Sequence, residues 1–402
     1  MSEIEMAVAA LAAGELQEVE LRRHIDPLFS RVLREAGGQI YLANHSLGRP
    51  LDRIAADVEE GLSFWYGDLD RAWANWQAEM VQFRSRVATL IHAPGAHCIV
   101  PKASAGQGLR AVLNCHDALL RVIATRNEFN SIDLILKAYA ARGRIKINWV
   151  ESHADRHYRA DNFATALRAG ADLLVVSMVF FDTGQLLTEI DAIVGAAKAC
   201  GARVLVDLYH AAGALPVDVQ ALDIDFAIGG AYKYLRGGPG AAWLYVHPRH
   251  LEGPLRTLDT GWFATREPLA FKRPERPSFA PGAEGWLEST PAVLPYYQAR
   301  AGLEFTLATG VERLRAFSLK QQANLADRLA EKGIAILGAG LPHGAFIAIS
   351  TPKAEAATAR LLEGGVVADA REGLLRLCPD ILNPSQELLE AAGRVAHVLR
   401  NV

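Results

Sequence analysis

Short apolar runs alternate with helical patterns through the middle of this 402-residue chain. Each run is long enough for a buried strand, and helical patterns separate several of them. Such alternation implies right-handed crossovers and a mostly parallel sheet with helices on both faces. We therefore predict an α/β protein whose large domain holds a seven-stranded sheet. The predicted strands are 97–100, 120–124, 145–150, 172–180, 202–207, 224–229 and 241–246, with helices at 106–117, 131–142, 160–169 and 189–200.

The flanking segments predict a second, smaller domain. The N-terminal 1–61 segment contains a helical pattern from Ile4 to Leu33 and an extended piece from Ile40 to Asn44. After an irregular stretch at 253–295, the C-terminal part alternates helices and strands. We predict a large domain over 62–295 and a small α+β domain over 296–402, which the N-terminal segment completes. The predicted C-terminal elements are helices at 296–332, 353–364 and 385–399 and strands at 333–338, 344–350 and 373–378.

Composition excludes several classes of protein. The net charge of −3 gives no reason to expect a nucleic acid or an anionic membrane as partner. The longest apolar run, Leu173 to Phe181, is too short to span a membrane. The four cysteines are scattered, so neither a disulfide framework nor a zinc or other metal site is expected. Because the N-terminus also lacks a signal pattern, a cytoplasmic location is expected.

Two of the predicted strands end in polar residues. Asp207 and His210 follow the first strand, and Tyr232 and Lys233 follow the second. In a parallel sheet these strand ends meet at the edge where ligands bind. A lysine that forms a Schiff base and an acid that keeps the pyridinium nitrogen protonated are what pyridoxal 5′-phosphate requires. Taken singly, Asp207 is equally typical of a helix N-cap, His210 of a core histidine and Lys233 of the surface.

Two further motifs suit the same cofactor. Small residues in 103–108, with the Ser104 hydroxyl, precede a helical pattern and can surround a phosphate at a helix N-terminus. Tyr232 is placed to add a phosphate hydrogen bond, and Phe129, at a strand-to-helix junction, to stack on the pyridine ring. Many strand-to-helix turns resemble 103–108, and ordinary core packing also accounts for Phe129.

Arg376 lies inside an apolar strand pattern and therefore needs a partner. A substrate carboxylate held by two parallel hydrogen bonds is one candidate. An internal carboxylate is the other, and Glu372 and Asp380 are near in sequence.

Four segments together resemble kynureninase, in the class V branch of fold-type I pyridoxal phosphate enzymes. The resemblance extends from about residue 38 to the end of the chain and is tightest between 202 and 263. It implies the aspartate aminotransferase-like transferase fold, an amino-acid substrate and a homodimer whose active site lies at the subunit interface. The segments are Tyr41-Leu-Ala-Asn-His-Ser-Leu-Gly48, Val206-Asp-Leu-Tyr-His-Ala-Ala-Gly-Ala-Leu-Pro-Val-Asp218, Ala231-Tyr-Lys-Tyr-Leu-Arg-Gly-Gly-Pro-Gly240 and Gly261-Trp-Phe263.

The resemblance also implies roles for individual residues. Lys233 and Asp207 are the implied catalytic residues, and Arg376 is implied to hold the substrate α-carboxylate. His45, Ser46 and Trp65 are our candidates for the rest of the substrate pocket. The implied cofactor contacts are Ser104, Ala105, Gly106, Phe129, Ser177, Asp207, His210, Tyr232, Lys233, Trp262 and Thr290.

The chain departs from the kynureninase pattern mainly on the substrate side. An Asp-Gly-Asn-Ser motif is replaced by 43–46, with His45 before the retained Ser46. On the cofactor side, one aspartate of the family, in a Phe-Pro-Ser-Asp motif, is replaced by Ile132. From the resemblance as a whole, we predict a hydrolase that cleaves the Cβ–Cγ bond of L-kynurenine or a related amino acid. Its products are alanine and an aromatic acid such as anthranilate. The alternative is a class V aminotransferase, lyase or epimerase acting on another amino acid.

Overall fold

A computed structural model describes all residues of the chain, Met1–Val402. It contains twelve strands and fourteen α-helices, joined by short 3-10 turns and loops. The strands are β1 Ile40–Tyr41, β2 Ile99–Lys102, β3 Leu120–Thr125, β4 Ile145–Val150, β5 Leu173–Ser177, β6 Arg203–Asp207, β7 Phe226–Gly230, β8 Ala242–Val246, β9 Ile347–Ser350, β10 Val366–Val367, β11 Asp369–Arg371 and β12 Leu374–Leu377. The helices are α1 Glu3–Ala9, α2 Glu18–Glu20, α3 Ser30–Glu35, α4 Ile54–Asp68, α5 Ala72–Leu90, α6 Ala105–Leu113, α7 Asn130–Ala141, α8 Ala160–Arg168, α9 Ile190–Ala199, α10 Pro248–Leu251, α11 Leu294–Thr309, α12 Val311–Ala330, α13 Ala354–Glu363 and α14 Ser385–Asn401.

The predicted seven-stranded, mostly parallel sheet is confirmed. Its strand order is β2-β8-β7-β6-β5-β3-β4. The strand β8 runs in the opposite direction to the other six strands. Strands β5, β6 and β7 are buried along their whole length except at Arg203, which explains their continuous apolar sequences. Because β5, β6 and β7 are parallel neighbours, their carboxyl ends lie side by side at one edge of the sheet.

The C-terminal part forms a separate sheet, β11-β12-β9, packed against α13 and α14. The N-terminal segment joins this region because β1 pairs in parallel with β10. Ile40 and Leu42 accordingly belong to the same hydrophobic cluster as residues of α12, α13 and α14. The exact division into 1–61, 62–295 and 296–402 stays a prediction.

Three sequence-based elements are wrong. The helical pattern from Ile4 to Leu33 is not one helix, because Gly14 takes a left-handed φ of 93° and a 3-10 turn containing Pro27 precedes α3. The helix predicted over 296–332 is divided into α11 and α12 by Gly310, whose φ of 87° strongly favours glycine. The strand predicted over 333–338 is a series of turns. No helix of the structure combines the length and apolarity needed to cross a membrane.

Candidate active site

Lys233 and Asp207 lie at the same edge of the large sheet. Asp207 is the last residue of β6, and Lys233 follows the end of the neighbouring strand β7. Both side chains are buried, with exposed fractions of 6% for Asp207 and 5% for Lys233. The Lys233 Nζ contacts His210 Nε2, and the other ring nitrogen of His210 is 3.2 Å from the Tyr234 hydroxyl. The sequence-predicted juxtaposition of acid, histidine and lysine is therefore present.

Burial controls the charge of these three groups. It lowers the pKa of Lys233, although Asp207 acts in the opposite direction. It raises the pKa of Asp207 despite a 2.7 Å hydrogen bond from the Tyr209 N–H. It also lowers the pKa of His210, so that the imidazole is neutral and its Nε2 can accept a hydrogen bond from Lys233. The lysine is thus held in an environment that favours its free amine, the form that can act as nucleophile or base.

One cavity of about 370 Å³ opens above this edge of the sheet. Nine of the eleven sequence-predicted cofactor positions line it: Ser104, Ala105, Gly106, Phe129, Ser177, Asp207, His210, Tyr232 and Lys233. Rings of Tyr209, Phe129 and Tyr232 surround the lysine, with centroids 5.3, 5.5 and 5.7 Å from Nζ. The cavity is therefore largely aromatic around a single reactive amine.

The wall of the cavity also includes the N-terminus of α6. Ser104 is the N-cap of this helix, and its hydroxyl accepts a hydrogen bond from the Gln107 N–H at 3.3 Å. The N–H groups of Ala105 and Gly106 are the first two of the helix, so no intrahelical carbonyl can accept from them. These two N–H groups are available to an anion in the cavity.

Ser177 has a buried protein partner. Its hydroxyl donates to Glu128 at 2.6 Å, and the Thr125 hydroxyl donates to the same carboxyl group at 2.6 Å. Glu128 is only 3% exposed and has no cationic partner. Burial raises its pKa to about 7, and the hydrogen bonds from Ser177 and Thr125 offset only part of that effect. Ser177 and Asp207 are register partners on β5 and β6. Because Ser177 binds Glu128, the Glu128 carboxyl group lies near Asp207, the acid of the site.

Arg376 is bonded to an internal carboxylate. Its Nε donates to Asp369 Oδ1 at 2.8 Å and its Nη2 to Asp369 Oδ2 at 2.5 Å, while Nη1 donates to the Phe181 carbonyl. His45 Nε2 is 2.8 Å from Asp369 Oδ1. The internal partner allowed by the sequence is thus present, but it is Asp369, in place of Glu372 or Asp380.

The same cluster has strongly shifted titration. Burial works to raise the pKa of Asp369, but the hydrogen bond from His45 and the charge of Arg376 outweigh it and hold the pKa far below its ordinary value. Burial lowers the pKa of His45 to about 4, so its ring is neutral and Nε2 is the donor to Asp369. The Nδ1 of His45 is then a buried acceptor without a partner.

The N-terminal 41–48 segment reaches the lysine through its backbone. The Gly48 N–H donates to the Tyr232 carbonyl at 2.9 Å. A Cβ atom on Gly48 would lie 1.9 Å from the Lys233 carbonyl oxygen, a distance that no side chain tolerates. The glycine is therefore required for the approach of this segment to the lysine.

Six of the predicted site residues do not line this cavity within one chain: Arg376 and His45, described above, and Trp262, Thr290, Trp65 and Ser46. Trp262 and Thr290 are hydrogen-bonded to each other at 3.3 Å, and Trp65 is 57% exposed on α4, beside Trp76. Ser46 is half-buried in the turn after β1.

Several cavity residues were missed by the sequence analysis. Tyr209 lies between the two recognised motif residues Asp207 and His210, which is a usable sequence signal. For the α7 residues, the only sequence signal is their helical spacing from Phe129. For Arg110, the only signal is its position one helical turn after Gly106. The missed lining residues are Arg110, Ser131, Ile132, Leu134, Ile135, Val179, Phe181 and Tyr209.

Comparisons with known proteins agree with this geometry. The sequence model of the family described as aminotransferase class-V matches residues 54–362. A kynureninase of Deinococcus radiodurans is 31% identical over 367 residues, covering 86% of this chain and 84% of that protein. An uncharacterized aminotransferase of Bacillus subtilis, YcbU, is 27% identical over 85% of this chain and 91% of its own length. A solved structure of the cystine C-S lyase C-DES, at 20% identity, has a TM-score of 0.81 and covers 90% of this chain and 98% of its own.

The fold and the site define a pyridoxal phosphate-dependent enzyme of fold type I. The chain belongs to the class V aminotransferase family and is kynureninase-like within it. Its cofactor is pyridoxal 5′-phosphate. The residues fit that cofactor, because one cavity presents a buried amine, a buried carboxylate and the free N–H groups of a helix N-terminus.

Proposed function

We propose that this enzyme is a kynureninase-like hydrolase. Its substrate is L-kynurenine or a related amino acid with a γ-carbonyl group. Water adds to that carbonyl, the Cβ–Cγ bond breaks, and alanine and an aromatic acid such as anthranilate leave. The observation that carries the proposal is the 31% identity to a kynureninase over 86% of the chain, combined with the Lys233–Asp207 site.

Lys233 is the proposed base of the reaction. Bound pyridoxal phosphate supplies an electron sink that makes the substrate α-proton acidic. The free amine of the buried Lys233 would accept that proton. The low polarity of its surroundings supports this role, because burial lowers the lysine pKa towards the working pH.

The other cavity residues are proposed to hold the cofactor. Asp207 pairs with the ring nitrogen and keeps it protonated, with His210 beside it. Phe129 stacks on the ring, and Tyr232 contacts the phosphate. In the same proposal, Ser104, Ala105 and Gly106 surround the phosphate, while Ser177, Trp262 and Thr290 complete the contacts.

Arg376 is the proposed site for the substrate carboxylate. A guanidinium group has five N–H donors, of which Asp369 and the Phe181 carbonyl accept three. One N–H on each terminal nitrogen is left for a substrate. His45, which bonds to Asp369, and the neighbouring Ser46 then shape the same side of the pocket.

A class V aminotransferase, lyase or epimerase is the second candidate. Similarity to the B. subtilis aminotransferase over 85% of the chain favours it. The binding of Asp369 to Nε and Nη2 of Arg376 favours it as well, because those donors are then not open to a substrate. Cysteine desulfurization has no support from the cysteines. Cys378, two residues after Arg376, is buried and donates to the Ala345 carbonyl, and burial raises the pKa of its thiol.

We further propose a homodimer that completes the site. Aromatic and aliphatic side chains are exposed near the ends of α4 and of the loop after Gly261: Tyr66 at 84%, Phe271 at 74%, Leu69 at 68% and Trp65 at 57%. A patch of this kind is typical of a subunit interface. Trp262 and Thr290, which do not line the cavity of their own chain, would then serve the partner's site. A cytoplasmic location stays a prediction.

The function is tested by incubating the purified enzyme, loaded with pyridoxal phosphate, with L-kynurenine. The expected result is the formation of anthranilate and alanine in equal amounts, with anthranilate detected by its fluorescence. A visible cofactor band without anthranilate would support the aminotransferase instead, if the amino-acid substrate is converted to its keto acid when pyruvate is added as the amino acceptor. Absence of any cofactor band would overturn the assignment of Lys233.

A further inference from the structure

Arg110 is an uncommitted cation in the wall of the cofactor cavity. It lies on α6, one helical turn after Gly106, and its side chain lines the cavity. It forms no salt bridge and no side-chain hydrogen bond. The buried arginines elsewhere in the chain do have such partners: Arg49 and Arg236 bind Asp380, Arg84 binds Glu284 and Arg376 binds Asp369. The half-buried Arg110 guanidinium has no protein acceptor and is therefore available to an anion that enters the cavity.

The position of the guanidinium identifies the anion. The Arg110 Nη1 is 3.6 Å from the point that a Cβ atom would occupy on Gly106, and the Ser104 Oγ is 3.8 Å from the same point. The side-chain bond of a helical residue points back towards the helix N-terminus. The nearest atom to that point is Ile135 Cδ1, at 3.0 Å, so the guanidinium lies beside both Ile135 and the first turn of α6, where the N–H groups of Ala105 and Gly106 are free.

The chemistry of the loop explains why a cation is needed there. Ala105 and Gly106 have no side-chain donor, and the Ser104 hydroxyl, which accepts from the Gln107 N–H, can add only one neutral O–H donor. A phosphate monoester carries a charge of nearly −2 at neutral pH. The partial charge of a helix N-terminus neutralises only about half a unit of it. Among the residues that line the cavity, Arg110 is the only arginine, and the one lysine, Lys233, is the proposed base of the reaction.

We infer that Arg110 binds the phosphate group of the cofactor and supplies the charge that the loop lacks. The inference rests on the identity of the cofactor and not on the hydrolase reaction, so the two can fail independently. The phosphate site of this chain then combines backbone N–H groups, the hydroxyl groups of Ser104 and Tyr232, and one guanidinium.

The test compares pyridoxal phosphate with pyridoxal, which lacks the phosphate. Apoenzyme is titrated with each compound, and the dissociation constant is measured by quenching of tryptophan fluorescence and by the visible band of the bound cofactor. Arg110→Gln should weaken pyridoxal phosphate binding roughly 10- to 100-fold, the loss expected for one charge-assisted hydrogen bond. It should leave the dissociation constant of pyridoxal unchanged, and Arg110→Lys should recover part of the loss.

Arg142→Gln is the matched control, because Arg142 is an exposed arginine at the end of α7 without a side-chain partner. It should bind both compounds like the unmodified enzyme. The inference is overturned if Arg110→Gln leaves pyridoxal phosphate binding unchanged, or if both compounds weaken equally, which would indicate a disturbed cavity. It is also overturned if only the KM of an amino-acid substrate rises, since the arginine would then bind a substrate carboxylate.

Discussion

Asp369 and Arg376 are paired across the hairpin of β11 and β12, and the two carboxylate oxygens accept hydrogen bonds from Nε and Nη2 of the guanidinium. They are direct register partners, so their side chains lie on the same face of the sheet. The pair fixes the arginine in one orientation and neutralises its charge. A substrate carboxylate would therefore meet an oriented donor with little net attraction at long range.

Lys233→Ala should abolish turnover and the visible band of the bound cofactor, because no other cavity residue has a primary amine. Absorbance and product formation are measured on the same preparation. Lys198→Ala is the control, since this lysine pairs with Asp223 away from the cavity; it should retain both signals. Full activity in the Lys233 variant would contradict the assignment.

Arg376→Ala should weaken substrate binding by about 2–5 kcal/mol, the cost of removing one partner of a buried charge pair. The expected kinetic result is a higher KM with a much smaller change in kcat. Steady-state kinetics with the active substrate measure both. An unchanged KM would remove Arg376 from the substrate pocket and leave it a structural role beside Asp369.

Asp369→Ala should lower the free energy of unfolding by about 2 kcal/mol at neutral pH, discounted from a fully buried pair because Asp369 is partly exposed. The pKa of Asp369 is depressed in the folded state, so its contribution is complete above the unfolded pKa and lost as pH falls below about 4. Urea unfolding at pH 7 and near pH 3 measures the difference between variant and parent. The difference should shrink at the acid pH; a constant difference would contradict the linkage.

Glu128→Gln should have the opposite pH dependence. The folded pKa of about 7 lies above the unfolded value, so ionisation of Glu128 destabilises the protein as pH rises from about 4.5 to 7. The glutamine variant removes this penalty, which amounts to about 3 kcal/mol. Its stability relative to the parent should therefore increase between pH 5 and pH 8, measured by urea unfolding of the apoenzyme. Glu151→Gln, an exposed residue paired with Arg126, should not reproduce the increase.

The sequence predicted what local patterns encode. Asp207 and Lys233 follow continuous apolar strands, and parallel pairing then places them at one edge without any knowledge of the remaining chain. Asp369 and Glu128 were not predicted. The pairing of Asp369 depends on the register of two short strands, and that of Glu128 on its contact with β5, forty-nine residues away. Neither contact leaves a periodic signal, and Gly14, Pro27 and Gly310 disrupted helices that periodicity alone would extend.

The Gly48 contact with the backbone of Tyr232 and Lys233 has a consequence for how the enzyme matures. The strand that precedes Gly48 is paired with β10, more than 300 residues further along the chain. This backbone contact with the lysine segment therefore forms only after both ends of the polypeptide have come together over the central sheet. Closing such distant contacts is a late and slow event in folding. A polypeptide that stops before β10 would accordingly contain every residue that lines the cavity, all between 104 and 233, but would lack the strand pairing that places Gly48 against Tyr232 and Lys233.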